Sequence, residues 1–161
     1  MKEQPSNYFL IVMTFLIGFL LTIMPLPQWA IWLRPQWTFS LLLFWVIAIP
    51  SQCGIALAWT MGVCMDLLTG TSLGQHAAVF VLLVYIMLKC CSMIAHFPLM
   101  QQTVTIAIFA YFNVFLQGLI LGWTGHSTHI ALDSLSAMTT GLIWPWMMIW
   151  LNHLRPRKLI R

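Results

Sequence analysis

Charged residues are scarce in this chain of 161 residues: seven Lys or Arg and three Asp or Glu make up only 6% of it, whereas hydrophobic residues make up 61%. A soluble domain carries about 25% charged residues, so this composition and a mean hydropathy of +0.90 exclude that class. The sequence also lacks an ATP-binding loop, an HExxH motif, a GxSxG nucleophile elbow and a close pair of carboxylates. It therefore predicts an integral membrane protein that is not an enzyme and holds no cofactor.

Metal-ligand patterns are missing as well. Cys53, Cys64 and the vicinal pair Cys90-Cys91 lie in or beside apolar segments without a CxxC spacing, which favours buried small side chains over a metal or redox site. His126 and His129 could bind a metal or sense pH, but two histidines three residues apart are more typical of a solvated polar loop.

Long apolar runs between helix breakers organise the chain as a single membrane domain over residues 1–161. A membrane-spanning helix needs about 20 apolar residues, and Pro25, Pro50 and Pro98 mark breaks between such runs. The alternative is five helices, with one crossing and a re-entrant piece in residues 36–69, because Pro50 could kink a helix without ending it. The favoured prediction is an all-α bundle of six transmembrane helices, near residues 8–25, 36–50, 52–69, 75–96, 100–123 and 130–153.

The distribution of basic residues predicts the orientation. An even number of crossings places both termini on one side, and Arg34 is then the only basic residue near the other side. Both termini are therefore expected in the cytoplasm, and the first apolar run is expected to remain as helix one because no cleavage site follows it. The net charge of +4 is explained by topology and anionic lipid, not by nucleic-acid binding. The basic residues on the cytoplasmic side are Lys2, Lys89, Arg155, Arg157, Lys158 and Arg161.

One carboxylate stands inside the third predicted helix. In a helix, small residues at steps of four share a stripe with this acid, and such a stripe lets another helix approach closely in lipid. We therefore expect a docking surface for a partner helix. The alternative is structural: the acid could pair with Arg34, or accept hydrogen bonds from Ser72 or from backbone amides of the TGTSLG turn. The stripe consists of Gly54, Ala58, Gly62, Asp66 and Gly70.

Two further polar features are assigned structural roles. Asn113 and Gln117 lie one turn apart on the fifth helix, where hydrogen bonding inside the bundle is favoured over partner binding. Asp133 begins the sixth helix, where the helix dipole favours an acid.

Four segments together resemble the MreD family of bacterial rod shape-determining membrane proteins. They are DLLTGTSLG (66–74), RPQW (34–37), GLIWPW (141–146) and the basic C-terminal tail. Asp66, Gly70 and Gly74 match the first family tract, and Arg34 and Pro35 match the second, so these residues are the candidate site. The resemblance implies a six-helix fold like that of the substrate-binding component of energy-coupling-factor transporters.

The resemblance also implies a function in lateral cell-wall growth, without enzymatic activity. Members of the family work with the single-span protein MreC, the MreB filament, the glycosyltransferase RodA and its class B penicillin-binding transpeptidase. The expected role is a scaffold in the bacterial inner membrane that maintains rod shape. The alternative is the substrate-binding membrane component of a vitamin uptake transporter, with Asp66 and Arg34 in a ligand pocket.

Overall fold

The described part of the chain, residues 6–123 and 130–154 of a computed structural model, is helical and contains no strand. The prediction of six helices is confirmed in this part of the chain, where two separate helices flank a turn at residues 49–54, so Pro50 does not lie at a kink within one continuous helix. That all six helices cross a membrane stays a prediction. A short 3-10 helix, Gln28–Leu33, precedes the second helix where the sequence predicted only a loop. The helices are α1 (Ser6–Ile23), α2 (Trp37–Ala48), α3 (Ile55–Thr69), α4 (Gln75–Ala95), α5 (Leu99–Trp123) and α6 (Ile130–Leu154).

Proline and glycine set most of the helix ends. α1 ends two residues before Pro25, α2 ends two residues before Pro50, and α4 ends three residues before Pro98. The residue before a proline is disfavoured in helical geometry, and proline itself has no backbone donor. α3 ends instead at Gly70, whose φ of +67° lies in the left-handed region that glycine adopts without strain.

The centre of the fold is α2, which contacts α1, α4, α5 and α6. Every residue from Thr38 to Val46 is buried. The sequence TFSLLLFWV explains this burial, because a helix that is apolar on all sides is covered on all sides.

The outer surface of the bundle is strongly apolar. Large side chains on several helices are exposed, among them Leu20, Leu142 and Trp146, with exposed fractions of 69%, 74% and 79%. Within residues 6–123 and 130–154, three segments are long and apolar enough to cross a membrane: Ala30–Ala48, Gln75–Ala95 and Leu99–Trp123. Such a surface fits hydrocarbon much better than water, which agrees with the membrane class that the composition predicts.

Candidate functional site

Asp66 is the most heavily hydrogen-bonded side chain at its end of the bundle. It lies in the last turn of α3 and is 1% exposed. Its Oδ2 accepts from the backbone N–H of Gly74 at 2.8 Å, and its Oδ1 accepts from the backbone N–H of His76 at 2.8 Å. Oδ1 also lies 3.0 Å from the Thr71 hydroxyl, which donates, and 2.8 Å from Nδ1 of His76. The carboxylate therefore joins the last turn of α3 to the first turn of α4.

The turn between α3 and α4 explains the two glycines of the DLLTGTSLG tract. Gly70 and Gly74 are the described residues with positive φ, +67° and +99°. A side chain at either position would be forced into the left-handed region, at a cost of about 1–2 kcal/mol. The Gly74 conformation brings its own N–H and that of His76 onto Asp66. Acid and glycines thus act together to fix one turn.

Arg34 does not pair with Asp66, so that alternative is wrong. Its Nη1 donates to the carbonyl of Thr22 and its Nη2 donates to the carbonyl of Met24. The Thr22 carbonyl belongs to the last turn of α1 and Met24 is the first residue after that helix, so neither carbonyl has a further helical donor. The guanidinium therefore caps α1, and the Asp66 carboxylate pairs with His76 instead. Pro35 follows in the middle of the short link, residues 34–36, that leads into α2.

The Ser72 alternative is also wrong, whereas the backbone alternative is confirmed. The Ser72 hydroxyl donates to Oε1 of Gln75 at 3.1 Å. The amide of Gly74, in the TGTSLG turn, is the one that donates to Asp66.

The small-residue stripe of α3 packs against α4 of the same chain. Ala58 and Gly62 are buried, and a Cβ added at Gly62 would lie 2.3 Å from Cα of Ala77. The expectation that this part of the stripe is open to a partner helix is therefore wrong. The short turn after Gly70 folds α4 directly back onto the small face. Gly54 precedes the first residue of α3, and an added Cβ there would meet nothing within 4 Å.

A second polar cluster joins α2, α5 and α6. Nδ2 of Asn113 donates to Oε1 of Gln36 at 2.6 Å, and Nε2 of Gln117 donates to Oδ1 of Asn113 at 3.0 Å. Gln36 also donates through its backbone N–H to Thr140 at 2.9 Å and through Nε2 to Ser136 at 3.3 Å. The prediction that Asn113 and Gln117 bond inside the bundle is confirmed. Sequence reasoning missed Gln36, although it is the third residue of RPQW.

A cavity of about 390 Å³ lies between these two clusters. It is lined by polar groups from both, including His76 and Gln117, and by the Arg34 and Asp133 side chains. Asp133 lies in the first turn of α6, as the sequence predicts. The site therefore consists of a fixed turn, a hydrogen-bonded amide cluster and a mixed cavity between them.

The cysteines lie away from this site. All four are free, and burial raises the pKa of the Cys53 thiol, in the turn between α2 and α3, from 9.0 to about 11. Among the described residues, no three potential ligands from His, Cys, Asp and Glu cluster to hold a metal ion. His126 and His129 lie outside the described residues.

Comparisons with known proteins agree with the motif resemblance. The family model described as "rod shape-determining protein MreD" matches residues 4–154. The chain is 32% identical over 153 residues to the "Rod shape-determining protein MreD" of Haemophilus influenzae, and the match covers 92% of each protein. No solved structure matches the chain, so the likeness to energy-coupling-factor components stays a prediction. These matches give no support to the vitamin-uptake alternative.

Proposed function

The chain belongs to the MreD family of rod shape-determining proteins, and from this premise we propose that it is a non-enzymatic scaffold of the bacterial elongation machinery. In this role it holds an MreC-like single-span protein together with MreB, RodA and the class B penicillin-binding transpeptidase. The observation that carries the proposal is the family match over residues 4–154. The helices use up almost all of the described chain, so the function is exerted inside the membrane.

We further propose that all six helices cross the inner membrane with both termini in the cytoplasm. α2 has 12 residues and spans about 18 Å, which is less than the roughly 30 Å hydrocarbon core. The preceding 3-10 turn extends this segment to Ala30–Ala48, which is long enough to cross. The Asp66 end of the bundle then faces the outside. Arg34 lies at that end, whereas Lys89 lies near the opposite end of α4, in agreement with the distribution of basic residues.

Depletion of the chain in its source organism tests the proposed role. Cells grown in rich medium with vitamins are expected to lose rod shape and become round, and the wild-type chain supplied from a plasmid should restore rods. Cells that keep their rod shape while the chain is gone would contradict the scaffold role. The vitamin supplement excludes a nutritional cause of the defect.

Photo-crosslinking tests which surface holds the single-span partner. The Gly62 face is covered by α4, so we propose that the partner contacts an exposed apolar face. A photoreactive residue is placed at Leu20 on α1, Val104 on α5 or Leu142 on α6, all of which are exposed. A crosslink to the partner from one of these faces and not the others supports helix-to-helix scaffolding. Absence of crosslinks from all three would contradict docking on these faces.

A further inference from the structure

The cavity at the Asp66 end has the size of a ligand site. Its volume of about 390 Å³ falls within the range of roughly 300–1,000 Å³ that small-molecule sites occupy. Residues from all six helices line it, together with the link before α2. The scaffold role proposed above assigns no function to it.

The charges around the cavity disfavour an ionic ligand. Its charged lining residues are one guanidinium, Arg34, and one carboxylate, Asp133, so their formal charges cancel. Both Nη groups of Arg34 already donate to the carbonyls of Thr22 and Met24, and its buried Nε is left without a partner, so the guanidinium offers single donors and not an unoccupied fork for a phosphate. A divalent cation prefers several carboxylate or carbonyl oxygens, and no cluster of three potential ligands exists among the described residues.

The cavity instead offers neutral donors and acceptors. Gln75 accepts from Ser72 through Oε1, so its Nε2 is left to donate. Gln117 donates to Asn113 through Nε2, so its Oε1 is left to accept. Nδ1 of His76 lies 2.8 Å from the Asp66 carboxylate, which favours the neutral tautomer that is protonated at Nδ1 and leaves Nε2 as an acceptor. All three free atoms belong to residues that line the cavity.

Aromatic side chains form the apolar part of the wall. Phe39 and Phe80 are buried, and their ring centroids lie 5.2 Å apart. Trp37 lines the same cavity. A ligand that fits must therefore present several neutral hydrogen-bonding groups on one side and C–H groups on another. A sugar ring has this combination, because its hydroxyls point outward around the ring and its faces carry C–H bonds.

We propose that this cavity binds a neutral, multiply hydroxylated saccharide ring, either as a free sugar or as the head group of a glycolipid. Amide and imidazole groups bond the hydroxyls, and the aromatic wall contacts the ring face. This ligand site is independent of the proposed scaffold role, since it depends only on the cavity.

Binding to the full-length chain in nanodiscs tests the proposal. The discs contain phosphatidylethanolamine with monoglucosyl diacylglycerol or with phosphatidylglycerol, and D-glucose is added separately to discs that lack glycolipid. Bound molecules are counted by native mass spectrometry after release from the discs. Gln117→Leu removes one free acceptor, and loss of one such hydrogen bond should weaken glycolipid binding about fivefold. Gln101→Leu is the matched control, because Gln101 is exposed at the other end of α5.

Each outcome decides the proposal. Binding of both glucose and glycolipid, weakened by Gln117→Leu only, supports it. Binding of the glycolipid alone with the same weakening also supports it and identifies a membrane source. Preference for phosphatidylglycerol, binding of neither the glycolipid nor glucose at millimolar concentration, or equal effects of both variants would overturn it. If Gln117→Leu does not yield folded protein, Gln75→Met leaves the Asn113–Gln117 bond intact and carries the same expectation.

Discussion

Replacement of Asp66 by alanine should destabilise the bundle severely. The change leaves the backbone N–H groups of Gly74 and His76 without their acceptor. Each hydrogen bond to a charged group contributes about 1.5–3 kcal/mol, so the two amides together predict a loss of about 3–6 kcal/mol. The Thr71 hydroxyl and the His76 ring can rotate toward the cavity, and they are left out of this sum. Proteins are stable by only about 5–15 kcal/mol, so the loss is a large share of the total.

Unfolding of the purified chain in mixed micelles of dodecyl maltoside and dodecyl sulfate measures this loss. The Asp66→Asn variant keeps one acceptor oxygen and should lose about half as much free energy of unfolding. Thr60→Ala is the control, because the Thr60 hydroxyl bonds only its own helix, on the exposed side of α3. Its effect should stay within about 0.5 kcal/mol. Equal losses for Asp66→Ala and Thr60→Ala would refute the structural assignment of the carboxylate.

Three further substitutions or modifications have expected results. Gly62→Ala forces a Cβ into the backbone of α4 and should lower the free energy of unfolding by about 1–3 kcal/mol or more in the same assay. Gly122→Ala is the control, because an added Cβ there meets nothing within 4 Å, and it should be neutral or slightly stabilising. Arg34→Lys keeps the charge but cannot bond the carbonyls of Thr22 and Met24 as a planar fork, so we expect the free energy of unfolding to fall by about 1–2 kcal/mol. An unchanged unfolding midpoint would contradict this expectation. At pH 8, N-ethylmaleimide should modify Cys53 about 100-fold more slowly in the native protein than after denaturation, because a pKa raised from 9.0 to about 11 reduces the thiolate fraction by about that factor. Mass spectrometry follows the modification, and equal rates in the two states would show that the thiol is accessible to solvent in the native protein.

Helix number could be predicted from the sequence because lipid imposes simple rules. Apolar runs must be helical to satisfy their backbone groups, and prolines interrupt them at Pro50 and Pro98. The limits of α2 and α3 were less well predicted. The turn at 49–54 takes residues from both helices, since an apolar sequence continues through it and gives no signal of where each helix stops.

The partners of the polar side chains were harder to predict. Opposite formal charge suggested Arg34 for Asp66, but the observed partner is His76, ten positions along the chain. The sequence did contain a signal for this pairing: a histidine in the first turn of an apolar helix, directly after a glycine turn, is brought close to the end of the preceding helix. Periodicity likewise identified the small face of α3, yet periodicity describes one helix and cannot say which helix covers that face. Gln36 had no visible partner until α5 was placed beside it.

The distinction between folding residues and partner-binding residues predicts two kinds of shape defect. Gly62 and Asp66 act on the contact between α3 and α4, so their variants should lower the amount of folded chain, because unfolded protein is removed in cells. A polar substitution on the exposed face that crosslinks to the partner, Leu142→Gln if that face is on α6, should instead leave the amount near wild type and abolish recovery of the partner. Immunoblots of membranes, scored beside cell shape in the depletion strain, separate the two classes. Normal amounts of Gly62→Leu protein in round cells would mean that the small face of α3 serves a partner after all.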